Sequence, residues 1–265
     1  MKYYVVDVFT EELFKGNPAG VCIMDAFPDD IVLQNIAAEN NLSETAFVLK
    51  REDYYVLRWF TPKMEVDLCG HATIASAFVL FKFFEKNAKD ISFKTMSGAV
   101  RVERKGEMLF LDFPVRRARA VESYKAFDEA FSCTNKGVYL ANDFMVILEN
   151  ELQVKNIKPD FEKLKRIKEE AGMLNDNFGV IITAPGNLCD FVSRFFAPNA
   201  GVDEDPVTGR AHCTLIPYWA EKLGKSKMWA RQVSARAGDI DCMLHGERVI
   251  IGGKAVLYLS GEIMI

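Results

Sequence analysis

The chain has 265 residues, 49% of them apolar and 26% charged, with a formal net charge of −4. That length holds one large or two small domains and buries a core without metal or disulfide staples. The acidic balance argues against a nucleic-acid-binding face, which needs a basic patch, and 20 Phe, 8 Tyr and 3 Trp exclude a disordered chain.

The opening reads as strands at Tyr3 to Phe9 and Val21 to Met24, separated by a turn at Gly16-Asn17-Pro18. Apolar residues at helical spacing from Asp29 to Asn40 predict an amphipathic helix, with Pro28 and two aspartates at its start. Strands follow at Thr45 to Lys50 and Tyr54 to Phe60. The segment Ile74 to Phe84 has almost no polar face, so it predicts a helix enclosed by other elements. Three more strands, Ile91–Thr95, Ala99–Glu103 and Met108–Phe113, turn at Gly98 and Gly106. The polar stretch from Pro114 to Lys125 then breaks the pattern and reads as a junction between domains.

The second half repeats this plan loosely. Strands are expected at Gly137–Ala141 and Phe144–Leu148, and a charged amphipathic helix from Pro159 to Ala171. Further strands follow at Gly179–Thr183 and Asp190–Phe196. A second buried helix is expected near Gly209 and stops at Gly224; Pro217 kinks it, unless the helix begins only there. Strands at Gln232–Ala235, Asp239–Leu244, Arg248–Gly252 and Ala255–Ser260 close the chain. The class is α+β: many strands around one buried helix, twice, roughly 140 residues apart. The expected domains are 1–115, completed by 254–265, and 116–253. No glycine-rich nucleotide motif follows a strand.

Six cysteines lie scattered without a CxxC pair. The start of the chain lacks the pattern of a secretory leader, and no stretch reaches the roughly 18 apolar residues of a membrane span. A cytoplasmic protein with reduced thiols, binding neither nucleic acid nor membrane, is the expectation.

Both buried helices begin at a glycine beside polar residues, Gly70 after Glu65 to Cys69 and Gly209 after Asp203 to Thr208. The first N–H groups of a helix lack internal partners and attract a small anion, and glycine lets a ligand approach them closely. If the two starts face one another across the junction, they form a cleft with two donor sets. Ordinary capping by Asp, Thr and Gly explains the same spacing. Glu44 reads either as solvated surface or as a general base with a pKa raised by partial burial. His71 and His212 lie within three residues of the two glycines, where histidine also serves as a hydrogen-bonding filler. Cys69-x-His71 with His212-Cys213 could supply zinc ligands, although adjacent helical residues point about 100° apart.

At these residues the sequence resembles a known family. Asp7-Val8-Phe9-Thr10 with Gly16 to Val21, Asn41-Leu42-Ser43-Glu44-Thr45-Ala46-Phe47-Val48, and Arg58-Trp59-Phe60-Thr61-Pro62 leading to Cys69-Gly70-His71-Ala72-Thr73 are similar to blocks of the phenazine-biosynthesis PhzF-like isomerases. So are Ser193-Arg194-Phe195-Phe196-Ala197-Pro198, Gly201 to Gly209, and Gln232-Val233-Ser234-Ala235-Arg236. The matches run in order from residue 7 to 238.

The resemblance implies the diaminopimelate-epimerase-like fold. This is a pair of similar domains, each a curved, mostly antiparallel sheet around a central helix, with the active site between them. It also implies isomerisation of a small carboxylated metabolite by acid/base proton transfer, without cofactor or metal, usually in a homodimer. Glu44 carries over as the base, with His71 and Asp205 as its catalytic partners. Asn17, Ser43, Gly70, Ala72, Thr73, Thr208, Gly209 and Arg210 carry over as substrate-binding positions. Two departures stand out: Arg210 replaces a small hydroxyl residue, and Ala237 replaces a common glycine; in the related two-cysteine epimerases a thiol stands in each motif, whereas here Cys69 is one and Asp205 occupies the other position. The alternatives are a non-catalytic binder of small anions and a zinc-dependent hydrolase.

Overall fold

A computed structural model describes residues 1–122, 125–170 and 179–265, and of residues 168–170 the backbone alone. Contacts divide the chain into two compact units, Met1–Phe113 with Ile250–Ile265, and Pro114–Val249.

In the first unit β1 (Lys2–Val8) and β2 (Asn17–Met24) form an antiparallel pair of β-branched and aromatic residues. The turn before β2 lies earlier than the sequence predicts. Asn17 and Pro18 already belong to the strand, and the left-handed residues Phe9, Phe14 and Gly16 turn the chain; at Gly16, φ 64°, a Cβ would meet the Val8 carbonyl oxygen at 2.1 Å. Helix α1 (Asp30–Asn40) ends on Asn41 in the left-handed region, φ 49°, which asparagine tolerates. Next come β3 (Glu44–Lys50), parallel to β2, β4 (Tyr55–Phe60), antiparallel to β3, and a two-residue β5 (Glu65–Val66) that periodicity could not reveal. The apolar segment forms α2 (Gly70–Phe83), buried over nearly its whole circumference. It packs on β1, β2, β3 and β7, as a helix without a polar face must. Strand β6 (Asp90–Thr95) lies parallel to β4, and β7 (Gly98–Lys105) and β8 (Met108–Pro114) complete an antiparallel meander.

In the second unit the expected featureless junction carries β9 (Arg119–Val121), with α3 (Lys125–Phe131) just beyond it. Both are too short to show a period. Strands β10 (Gly137–Leu140) and β11 (Phe144–Ile147) form a hairpin, and α4 (Glu151–Asn156), also unpredicted, is capped by the Asn150 side chain accepting from the Gln153 amide. Helix α5 (Phe161–Glu170) matches the charged amphipathic segment; Ala171, its expected last residue, lies outside the described residues. Strand β12 (Val180–Pro185) is parallel to β11 and antiparallel to β13 (Phe191–Ala197), which in turn pairs with β14 (Val202–Asp205).

Helix α6 (Gly209–Leu223) starts at Gly209 and runs through Pro217. Proline leaves the carbonyl four residues earlier without its helical donor. That carbonyl, of Cys213, accepts instead from the Arg116 amide at 3.0 Å, so the chain entering the unit repairs the break. Strand β15 (Lys227–Gln232) lies parallel to β13 and antiparallel to β16 (Gly238–His245). The predicted strand at Gln232–Ala235 is a correction. The strand ends at Gln232, and beyond it the Ser234 hydroxyl donates to the Pro206 carbonyl and accepts from the Ala237 amide, closing a turn. After β17 (Arg248–Gly253), β18 (Ala255–Glu262) returns to the first unit and pairs antiparallel with β1.

Strand β12 shows how the sheet of the second unit is sandwiched. Val180, Ile182 and Ala184 join a core with α3, α4 and α5, whereas Thr183 accepts the Trp219 indole N–H of α6 at 3.0 Å. Two covered faces explain why the strand is buried without interruption from Val180 to Ala184.

Candidate functional site

In the first unit three chain segments converge at the start of α2. Asn17 is the first residue of β2 and fully buried, and Glu44 is the first residue of β3, where Ala19 is its partner in register. Cys69 and His71 flank Gly70 at the mouth of the helix. The His71 ring is buried between them. Its Nε2 lies 3.3 Å from Glu44 Oε2, and its Nδ1 lies 3.3 Å from Asn17 Nδ2 and 3.6 Å from Cys69 Sγ. Burial disfavours the charged ring and lowers the His71 pKa to about 3, so the imidazole is neutral at neutral pH. The Glu44 side chain keeps about a fifth of its surface exposed, 20%, against 6% for His71. The carboxylate is the member of the cluster that meets solvent.

Donor atoms of Glu44, Cys69 and His71 lie within 4.8 Å of one another and could hold a metal ion. Their layout is a chain, however: the thiol faces one ring nitrogen and the carboxylate the other, so an ion on either nitrogen would need one side chain to move. Of the other expected positions, Gly70 and Ser43 are half-buried and Ala72 is buried. The Thr73 hydroxyl donates to the Cys69 carbonyl at 2.5 Å, so it serves the helix.

The second unit has its own cluster at the start of α6. The Thr208 hydroxyl donates to Asp205 Oδ2 at 2.5 Å, and the Thr208 amide donates to Gln232 Oε1 at 2.9 Å. The Gln232 amide nitrogen returns to the Asp205 carbonyl at 2.7 Å. Gln232 lies in the last matching motif but is not among the expected site residues; a glutamine closing an apolar strand is the signal that marks it, and it is fully buried. Gly209 is buried in the first turn. Arg210 reaches Asp143 Oδ1 at 3.0 Å and lies over the Phe195 ring at 5.3 Å. Asp143 is buried and also accepts the Gly179 amide at 2.9 Å. Burial pushes its pKa up, and the Arg210 charge is the chief opposing influence. No sequence signal marks Asp143, which sits in a strand-to-strand turn. His212 and Cys213, the other half of the zinc alternative, both turn to their own helix: His212 Nδ1 to the Thr208 carbonyl at 2.8 Å and Cys213 Sγ to the Gly209 carbonyl at 4.0 Å.

Neither N-cap side chain, Cys69 nor Thr208, caps its helix. Each points instead into the polar cluster beside the helix start, so the side chain that normally occupies the first-turn amides is withdrawn.

Comparison with known proteins places the chain in a family. The profile of the PhzC-PhzF family, described as phenazine biosynthesis-like protein, matches residues 6–261, and the chain belongs to that family. It is 47% identical to an uncharacterized isomerase of Pseudomonas aeruginosa over 266 residues, covering 100% of this chain and 99% of the relative. The crystal structure of a phenazine biosynthesis protein of the PhzF family from Enterococcus faecalis superposes with a TM-score of 0.94 at 44% identity, covering 100% of this chain and 99% of that one. A hydroxyproline epimerase from Agrobacterium vitis shares the fold at 10% identity, with a TM-score of 0.62 over 99% of this chain and 90% of its own. The fold is therefore the epimerase-like one that the motifs imply. Among the described residues, no helix is long and apolar enough to cross a membrane.

Proposed function

We propose that the chain is an isomerase of a small carboxylated metabolite, working by proton transfer without a cofactor, with Glu44 as the base. The observation that carries this reading is the 3.3 Å approach of His71 Nε2 to Glu44 Oε2 at the first turn of a buried helix. A neutral imidazole beside the carboxylate adds no positive charge and leaves it its strength as a base. A full imidazolium would hold the carboxylate anionic and weaken it as a base. The isomerase description of the P. aeruginosa relative supports the same class.

In this reading Glu44 removes a proton from carbon next to a carbonyl, imine or diene. Negative charge then develops where the first amides of α2, from Gly70, stabilise it; a well-aimed donor of this kind contributes about 3–4 kcal/mol. The proton then held by Glu44 is returned at another carbon, with Asp205, which accepts the Thr208 hydroxyl, as a polar partner that positions substrate or relays the proton, aided by the amides from Gly209. Arg210 at the first turn of α6 suits a carboxylated substrate, and its tie to Asp143 fixes its direction. The working form in this proposal is a homodimer.

The test is solvent exchange. The protein is incubated in D2O with a panel of small amino and keto acids, and loss of the C–H signal is followed by proton NMR. The wild type is expected to exchange at least one of them, and Glu44→Gln to lower that rate by at least about a hundredfold, because the amide keeps size and hydrogen bonding but takes no proton. An unchanged rate in the variant removes the mechanism. Binding without exchange by the wild type favours the small-anion binder.

A further inference from the structure

A neutral histidine has one N–H and one lone pair, and the partner of one nitrogen decides what the other presents. At His71 both close neighbours of Nδ1 bring hydrogens: the Asn17 amide nitrogen at 3.3 Å and the Cys69 thiol at 3.6 Å. Nδ1 therefore accepts, and the ring proton is left to Nε2, the nitrogen 3.3 Å from Glu44. Cys69 holds the N-cap position of α2 and makes no side-chain cap, although a small polar residue there would add helix stability. Its thiol is turned onto the ring instead.

We propose that Cys69 and Asn17 are positioning residues that lock His71 as the Nε2–H tautomer, so that its one N–H faces Glu44. The catalytic consequence rests on the isomerase reading above; the tautomer itself does not. The second unit holds a built-in opposite. His212 Nδ1 faces the Thr208 carbonyl, which only accepts, so the proton of that ring sits on Nδ1. The chain has three histidines, and the third, His245, is exposed. One protein thus carries two buried neutral rings of opposite tautomer beside one ring in solvent.

The experiment is nitrogen-15 NMR of histidine-labelled protein at neutral pH, in which the two-bond couplings show which ring nitrogen is protonated. His71→Asn and His212→Asn assign the signals by their disappearance. The wild type is expected to give one Nε2–H ring, from His71, and one Nδ1–H ring, from His212. Replacing both neighbours, with Cys69→Ala and Asn17→Ala, in the Glu44→Gln background, where no carboxylate selects the Nε2 proton, is expected to leave His71 as a mixture of tautomers, with each single replacement between. Glu44→Gln is expected to keep Nε2–H, because the lock acts from the other side of the ring. A proton on His71 Nδ1 in the wild type overturns the proposal and needs no variant that has to fold. A tautomer that flips in Glu44→Gln, or survives the double replacement unmixed, overturns it as well. The spectra are recorded without substrate, so a fully active Glu44→Gln would end the isomerase reading and leave this test standing.

Discussion

The two units share a frame and differ at its centre. In each, an antiparallel pair runs into a parallel one, a short strand follows, and a buried helix leads to a further parallel pairing: β1 to β6 around α2 in one, β10 to β15 around α6 in the other. The frame even repeats a clamp. Arg58 grips Glu65 through Nε and Nη2, both at 2.7 Å, and Arg194 grips Glu204 through the same atoms at 2.7 and 2.9 Å. Each guanidinium lies over the phenylalanine two residues on, Phe60 at 5.1 Å and Phe196 at 4.9 Å. The clamps are scaffolding, held wherever a helix start must be fixed beside a strand. The units differ at the helix starts, a glutamate–histidine pair in one and an aspartate–threonine–glutamine knot in the other.

The clamps differ in depth, and the largest stability effect tests that difference. Arg194 also donates to the carbonyls of Val154 at 3.2 Å and Ile157 at 2.8 Å, and its side chain is half as exposed as that of Arg58, 10% against 19%. Arg194→Met strands a carboxylate and two carbonyls, at a cost of about 3–5 kcal/mol. Arg58→Met frees a glutamate as exposed as Glu204, 22% against 23%, but strands no buried carbonyl, and costs about 1–2 kcal/mol. Urea unfolding at neutral pH reads both. Equal losses would show that the two clamps carry equal weight.

A feature shared by the units gives the next effect. His71 is held near a pKa of 3 and His212 near 4, both by burial. An unfolded histidine titrates near 6.5, so below that pH the unfolded chain binds protons that the folded chain refuses. Stability from these groups is intact above about pH 6.5 and is lost as pH falls toward 4, with a slope approaching 1.4 kcal/mol per unit for each ring. Between pH 6 and 5 the two together cost about 2 kcal/mol. Measured across that range, the urea midpoint should fall, and His212→Gln should remove about half of the slope. A slope unchanged in that variant would assign the acid sensitivity to the first unit alone.

What the sequence revealed follows from the reach of each signal. The buried helices are legible because a segment with almost no polar face has no other home, and Glu44 and Asn17 because the family motifs mark them. The strands β5 and β14 that carry the clamp glutamates are two and four residues long, below any period. The Asp143–Arg210 pair joins residues 67 apart, and nothing local announces it. The repair of Pro217 by the Arg116 amide is likewise a tertiary fact. A proline inside an apolar segment signals a break, and only the fold tells which backbone donor heals it.

The smallest effect concerns the turn that both units make on entering the strand after the buried-helix hairpin. The first unit uses Gly98, at φ 105°; the second uses Ala237, at φ 54°, just before β16. An L-residue in the left-handed region costs about 1–2 kcal/mol, and glycine avoids this while losing roughly 0.5–1 kcal/mol of extra chain entropy on folding. The difference favours glycine, so Ala237→Gly is expected to raise stability by about 0.5–1 kcal/mol in the same urea titration. The backbone amide at 237 still donates to the Ser234 hydroxyl at 3.1 Å, since the substitution removes only a methyl group. A loss of stability would mean that the alanine methyl packs usefully in the turn, and that the second unit has traded backbone ease for a contact the first unit never needed.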